Sequence, residues 1–331
     1  MKVFTALLCG FFCLLSYGQA RQDYVTVKKE LKLMGTRFEI TVVALNEEIG
    51  YINIDEAVSE IERIERIISS WNKDSETSLI NINAGIKPVR VSKELFDLIE
   101  RSIKISEITD GAFDITYASM DEIWKFDGTM DKVPTEDEIN KSVSKVGYQK
   151  IQMDKLNQTV FLPEKGMHIG FGAIGKGYAA DKAKELLVSK DVRGGIINAS
   201  GDLTTWGTKV TGEKWLVGIA NPLSKDKVFG WLPVIESSVA TSGNYEKYIV
   251  LDGEKYSHII DPRTGFPIKG IHSVSIFAKQ AELCDALATA VFIMGRDVGL
   301  HMINQINGVE AVVVDGENKV HRSSGIVFDM N

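Results

Sequence analysis

Gly170-Phe171-Gly172-Ala173-Ile174-Gly175-Lys176-Gly177, GFGAIGKG, fits two nucleotide-binding patterns that belong to different folds. Read as G-x-G-x-x-G it is the fingerprint of a parallel dinucleotide-binding sheet; read as G-x-x-x-x-G-K it is a P-loop without its closing Ser or Thr. The P-loop hydroxyl holds Mg²⁺, and Gly177 has no side chain to offer. The dinucleotide turn belongs in the first βαβ unit, with an acid about 20 residues further on. Here the stretch lies mid-chain among hairpin signals, and Glu185 and Asp191 fall within or just after the next helix. What survives is the physics both patterns share. Close-packed glycines let backbone N–H groups approach an anion, a helix start adds partial positive charge, and Lys176 adds a full one. From this stretch alone, phosphate binding and a plain glycine-rich helix entry both remain open.

Outward from that stretch, RFEITVVAL (37–45) alternates as a strand, preceded by a lead-in (21–30) that reads as mobile. Ile54, Val58, Ile61, Ile64 and Ile68 recur at helical spacing. A second helix runs through 93–108 and stops near Asp110-Gly111, and Thr135-x-x-Glu138 is a capping box that opens a third. Strands are expected at 148–154 and 158–164, and then in a run at 194–200, 214–220, 230–236 and 246–252, after a helix over 175–190. The C-terminal part reads as strand 273–278, helix 281–294 with Gly295 as its cap, a short helix, and strand 309–315. Strands cluster in hairpins instead of alternating strictly with helices, so the expected class is α+β with largely antiparallel sheets and packed helices.

The first 20 residues carry Lys2, an uncharged apolar run from Val3 to Leu15, and small residues at Gly18 and Ala20. That is the pattern of a cleavable secretory leader, too short for a membrane span. The expectation is a leader over 1–20, a single domain over 21–331, and a periplasmic location. Cys9 and Cys13 lack the small-residue pattern of a lipoprotein site, so no lipid anchor is expected. With those two cysteines in the leader, only Cys284 is left and no internal disulfide can form. A chain of 331 residues with 44% apolar content buries a large core without staples. The net charge of −7, with no basic block, argues against a nucleic-acid surface.

Other segments carry chemistry-bearing residues. Asp285 and Thr289 lie four apart on the expected helix, which puts a carboxylate and a hydroxyl on one face, a pairing that suits Mg²⁺. Asp285 would equally serve as a first-turn acid complementing the helix dipole. His258 precedes an Asp-Pro turn and a Thr-Gly-x-Pro turn in HIIDPRTGFP, a rigid loop able to present an imidazole as a base. Asp114, just past the turn in DGAFDIT, reads as a binding residue or as a simple cap.

Taken in order, MGT (34–36), SSWNKDSETSLININ (69–83), GAFDIT, GAIGKGYAAD, NASGDL, ATSGNYE, HIIDPRTGFP and CDALATAVFIMG resemble the ApbE family of FAD:protein FMN transferases. The resemblance covers nearly the whole chain after the leader. It implies a T-fold-like architecture and a Mg²⁺-dependent enzyme that splits the FAD pyrophosphate and attaches FMN to a Ser or Thr of another protein, releasing AMP. By the same resemblance, the Ala173 carbonyl, Asp285 and Thr289 hold the metal. FAD lies against Met34, Trp71, Ala112, Phe113, Asp114, Gly170, Lys176 and Ile259. Lys176 neutralises pyrophosphate charge, and His258 is the candidate general base. The implied acceptor is a subunit of a membrane electron-transport complex. The chain departs from the family in having Trp71 where Tyr is frequent, Gly170 where Asp is common, and Ser200 where glycine is usual. Two other activities fit the same motifs: an FAD diphosphatase that releases free FMN and AMP, and a flavin-binding carrier without catalysis.

Overall fold

The computed structural model describes residues 23–220, 228–244 and 247–326. The expected leader lies outside the described residues. Eight strands form one sheet in the order Val25–Leu33, Thr36–Ala44, Gly194–Ala199, Asp202–Trp206, Ser238–Gly243, Ile271–Ala278, Glu310–Asp315 and Val320–Arg322. Each neighbouring pair is antiparallel, and spatial order follows chain order, so the sheet is a meander with long insertions between strands. The α+β expectation is borne out, and with no parallel βαβ unit in this sheet both nucleotide-fold readings of GFGAIGKG fall away.

Three helices cover one face of the sheet. Helix Glu47–Ile68 starts at Asn46, whose side chain accepts from Ile49 N–H at 2.9 Å, and it buries Ile54, Ala57, Ile61, Ile64 and Ile68 at three- and four-residue intervals. Helix Gly175–Ser189 packs beside it, and helix Ala281–Met294 packs beside that, ending at Gly295 with φ +80°. Their apolar stripes meet Phe38, Ile40, Val42, Ile197, Ala240, Val274, Ile276, Ala311 and Val313 of the sheet in one continuous core. Alternate residues of the same strands, Val239, Phe277 and Val312, point to the opposite face and meet Val217 there. This is the period-two pattern of a sheet packed on both sides.

Two expectations fail. The strand expected over 148–154 begins only at Gln152, because Tyr148–Lys150 forms a 3-10 turn. The lead-in called mobile is an edge strand: Val25–Leu33 pairs along its whole length with Thr36–Ala44. Val25, Val27, Leu31 and Leu33 alternate toward the core, with Val27 buried against Gly50, where a side chain would strike Val27 Cγ2 at 2.3 Å. The interleaved lysines and glutamate hid that alternation, because an edge strand presents charge to solvent. The Thr135 to Glu138 capping box forms as expected. Helix Glu76–Ile82 and the strands at Asp202–Trp206 and Ser238–Gly243 had not been anticipated.

Candidate functional site

The site is built where the last two core-facing helices begin. Gly177 lies against the start of helix Ala281–Met294 so closely that a Cβ would meet the Ala281 carbonyl oxygen at 2.1 Å. Only glycine permits that approach. Two reciprocal links lock the contact. The Gly177 N–H donates to Asp285 Oδ2 at 3.2 Å, and the Asp181 carboxylate accepts from the Ala281 and Glu282 N–H groups at 3.0 and 2.9 Å. Asp285 therefore sits beyond the first turn of its own helix and puts its carboxylate at the N-terminus of the neighbouring one. The dipole reading survives, but across helices.

Lys176 reaches the same point. Its Nζ lies 2.6 Å from Asp202 Oδ2 and 3.5 Å from Asp285 Oδ1, and both carboxylates are buried. Burial opposes the ammonium charge, but Asp285 and Asp202 together override it and push the Lys176 pKa up. Burial pushes Asp202 up, with Asp285 adding to the rise and Lys176 opposing it. One ammonium thus stands between two carboxylates, and with both ionised the cluster carries surplus negative charge. The sequence reading had Lys176 facing an anion with its full charge; the structure commits it to two acids. Asp202 was missed. The signal was present, an acid opening a strand directly after the Ser200-Gly201 turn, but in sequence it looks like any turn residue.

Asp285, one of the oxygen donors expected for a metal, belongs to this cluster. Because Gly177 N–H turns to Asp285, nothing among the described residues donates to the Ala173 carbonyl four positions back. Thr289, one turn after Asp285, has Oγ1 3.3 Å from Ser242 Oγ. Among the described residues no group of three or more His, Cys, Asp or Glu side chains is placed to hold a metal. The donor set is all oxygen, with an unshared carbonyl and spare negative charge, and it fits a hard divalent cation.

The glycine loop is held from below by DGAFDIT. Gly170 N–H donates to the Ile115 carbonyl at 2.9 Å, and Gly172 lies over Tyr117, whose hydroxyl a Cβ there would meet at 2.4 Å. Burial raises the Tyr117 pKa and keeps the phenol neutral. A Cβ at Gly170 would stand 3.1 Å from Ala118 Cβ, so the glycine here goes with close packing beneath the loop. Ala112 and Phe113 are buried in the core. The Asp114 carboxylate accepts from Thr116 N–H, Thr116 Oγ1 and Tyr148 N–H at 2.6–2.8 Å, which makes it the cap of the Ile115–Ser119 turn. The backbone of this segment is engaged as well: Ala112 N–H donates to the Thr109 carbonyl, Phe113 N–H to Thr109 Oγ1, and the Asp114 carbonyl accepts from Tyr117 N–H.

The remaining candidates lie on loops tied to the same frame. Met34, at φ +49° in the first hairpin turn, donates its N–H to Glu65 and stands near Gly175. Trp71 follows Ile68, which itself packs against Gly175, and its side chain is 88% exposed with no ring partner. Trp71 is therefore free to stack on a flat ligand. The His258 loop is fixed by Asp261, which takes a bidentate pair from Arg263 at 2.9 and 2.8 Å; Arg263 also donates to the Asp110 carbonyl beside Gly111. His258 Nδ1 is 3.1 Å from the Lys247 carbonyl oxygen. A carbonyl only accepts, so Nδ1 carries a proton, and in the neutral ring Nε2 is the nitrogen with a lone pair. Ile259 packs against the core, and its carbonyl accepts from Ile268 N–H at 2.9 Å. Hydrogen bonds and packing thus bring Lys176, Asp202 and Asp285 to one point and Met34 beside Gly175, with the 110–114 and 258–263 segments linked to each other through Arg263.

The chain is similar to known proteins over most of its length. A model of the ApbE family matches residues 34–313. A Treponema pallidum protein named FAD:protein FMN transferase is 31% identical over 289 residues, covering 83% of this chain and 80% of that protein. The crystal structure of the ApbE protein from Thermotoga maritima superimposes with a TM-score of 0.82 at 31% identity, covering 91% of this chain and 97% of that one. The flavin transferase ApbE from Vibrio cholerae superimposes at 0.80 with 25% identity, covering 91% and 98%. With the match running from the Met34 turn through the last long core strand, the chain belongs to the ApbE family.

Proposed function

We propose that this protein transfers FMN from FAD to a Ser or Thr hydroxyl of an acceptor protein, releasing AMP, and that it does so with Mg²⁺. The observation that carries the reading is the oxygen-rich cluster of Asp285, Thr289 and the free Ala173 carbonyl beside Lys176 at a helix start. These residues would hold the cation. When bound, it supplies positive charge that stabilises the pyrophosphate oxygens as the phosphorus–oxygen bond breaks. The chain's own groups do the rest. The paired Lys176 ammonium, at the helix start, adds positive charge beside the anionic substrate, and exposed Trp71 stacks on a ring of the dinucleotide. The acceptor oxygen forms a bond to the FMN-side phosphorus, and the bridging oxygen leaves with AMP. The hydroxyl proton goes to His258 Nε2, the free ring nitrogen. The relatives named as FAD:protein FMN transferases support transfer to protein as the outcome. The acceptor we propose is a subunit of a membrane electron-transport complex, met outside the cytoplasm after the leader is removed.

The test is direct. Purified protein is mixed with FAD, Mg²⁺ and a candidate acceptor, and flavin fluorescence is sought on the denatured acceptor, with AMP in solution. A covalent band that disappears when the acceptor Thr is changed to Val is the expected result, since that change deletes the attacking oxygen at nearly constant volume. Free FMN forming at one rate with or without acceptor would make water the nucleophile and the protein a diphosphatase. Bound FAD with no AMP would make it a carrier. Asp285→Ala should abolish turnover and weaken FAD binding less, because FAD contacts are spread over many residues. Full Mg²⁺-dependent activity in that variant would rule out Asp285 as a ligand.

A further inference from the structure

Lys176 raises a problem for the metal reading, because its ammonium already stands 3.5 Å from Asp285 Oδ1, on the carboxylate a cation would need. A lysine there competes with the ion for the same oxygen. Asp202 offers a way out. Its Oδ2 lies closer to Nζ, at 2.6 Å, and its side chain is 6% exposed, so the contact is a short, desolvated, charge-assisted hydrogen bond. Its other oxygen accepts only a long bond from Thr241 N–H, 3.3 Å. That bond reaches a strand amide beyond the last paired residue of its neighbour, and no helix cap uses this carboxylate. Its ion pair with Lys176 is its main interaction.

We infer that Asp202 is a positioning residue that keeps Lys176 paired, so that Asp285 is released to a divalent cation. This rests on the metal reading above and adds to it a residue that touches neither metal nor phosphorus. Without Asp202 the half-buried ammonium has one carboxylate left, Asp285, and would hold it against the metal. Removing the lysine as well removes the competition. The two changes must therefore be non-additive in metal affinity.

Mg²⁺ is titrated calorimetrically into the full chain, with and without saturating FAD, for the unmodified protein, D202N, K176M and the double variant. D202N should weaken Mg²⁺ about tenfold, the size of one lost charge-assisted hydrogen bond. In the K176M background the same change should shift affinity by less than about threefold. Equal weakening in both backgrounds would mean that Asp202 acts on the ion through its own charge, and no weakening would mean that it does not act at all; either overturns the inference and leaves the metal reading intact. Absence of Asp285-dependent Mg²⁺ binding in the unmodified protein would instead remove the metal reading and this inference with it. A second measurement needs no substitution: amine acylation of Lys176, read by peptide mass spectrometry, should stay slow when Mg²⁺ is added. A marked rise would show the lysine set free instead of retained by Asp202, against the inference.

Discussion

Ser200 shows how a single residue adapts a turn. It carries a side chain at φ +53°, in the left-handed region that favours glycine, the residue usual at this position in the family. Its hydroxyl bonds Thr36 Oγ1 and donates to the Arg37 carbonyl at 3.0 Å, which ties this turn to the first hairpin. Ser200→Ala keeps the strain and loses both bonds, so it should cost about 1 kcal/mol in urea unfolding, while Ser200→Gly should be nearly neutral. Equal losses in the two variants would mean that the left-handed backbone costs the serine nothing, and no loss in Ser200→Ala would mean that the hydroxyl contributes nothing. Asp181 makes a prediction in pH. Burial lifts its pKa to about 6, against the two N–H groups it accepts from. A raised carboxyl pKa favours folding below the unfolded value and loses that contribution as pH climbs through the folded one. The stability of the unmodified protein relative to Asp181→Asn should therefore fall between about pH 4 and pH 6 and then level off. Melting curves that shift in parallel at every pH would contradict it. Among site residues, Lys176, Asp285 and Thr289 were legible because motif and helical spacing mark them. Asp202 and Tyr117 were not, because their roles come from partners 26 and 55 residues away, counted from Lys176 and Gly172 respectively.

At the scale of elements, the site depends on how closely two helices approach. Helix Gly175–Ser189 begins without a side-chain cap, and its start is served instead by Asp285 of the next helix; the next helix begins without its own cap and is served by Asp181. Each helix completes the other's N-terminus, so the distance between Lys176 and Asp285 follows from the contact at Gly177. Gly177→Ala places a methyl group against the Ala281 carbonyl and must push the helices apart. It should lower stability by about 1–3 kcal/mol and weaken Mg²⁺ binding even in the folded protein. Unchanged metal affinity in a destabilised variant would separate packing from the site. Helix and strand segments with a clean period were readable, including the capping box at Thr135 and the helix over 93–108. The edge strand 25–33 was misread because charge on its open face masks the period, and Asp202–Trp206 because DLTTW is too short and polar to announce a strand.

On the scale of the whole molecule, one apolar cluster runs through the large sheet, the four long helices Glu47–Ile68, Lys93–Ile108, Gly175–Ser189 and Ala281–Met294, and Val160 of the small Val89–Arg90, Gln152–Asp154, Thr159–Phe161 sheet. A shared core of that extent predicts a single cooperative unfolding transition, with calorimetric and van't Hoff enthalpies in agreement. Two resolved transitions would divide the chain into separate domains. The amino-acid sequence by itself determined the class, the bounds of the helices over 93–108, 175–189 and 281–294, the rejection of both nucleotide folds and the candidate groups of the site, because these depend on local period, turn chemistry and the side chains at a few neighbouring positions. Tertiary structure alone decided the order of the eight strands, the pairing of Lys176 with Asp202, the diversion of Gly177 N–H that frees the Ala173 carbonyl, and the use of Asp114 as a cap. Each of these depends on which distant segments are brought within hydrogen-bond distance, and that is set by core packing over the entire chain rather than by any one stretch.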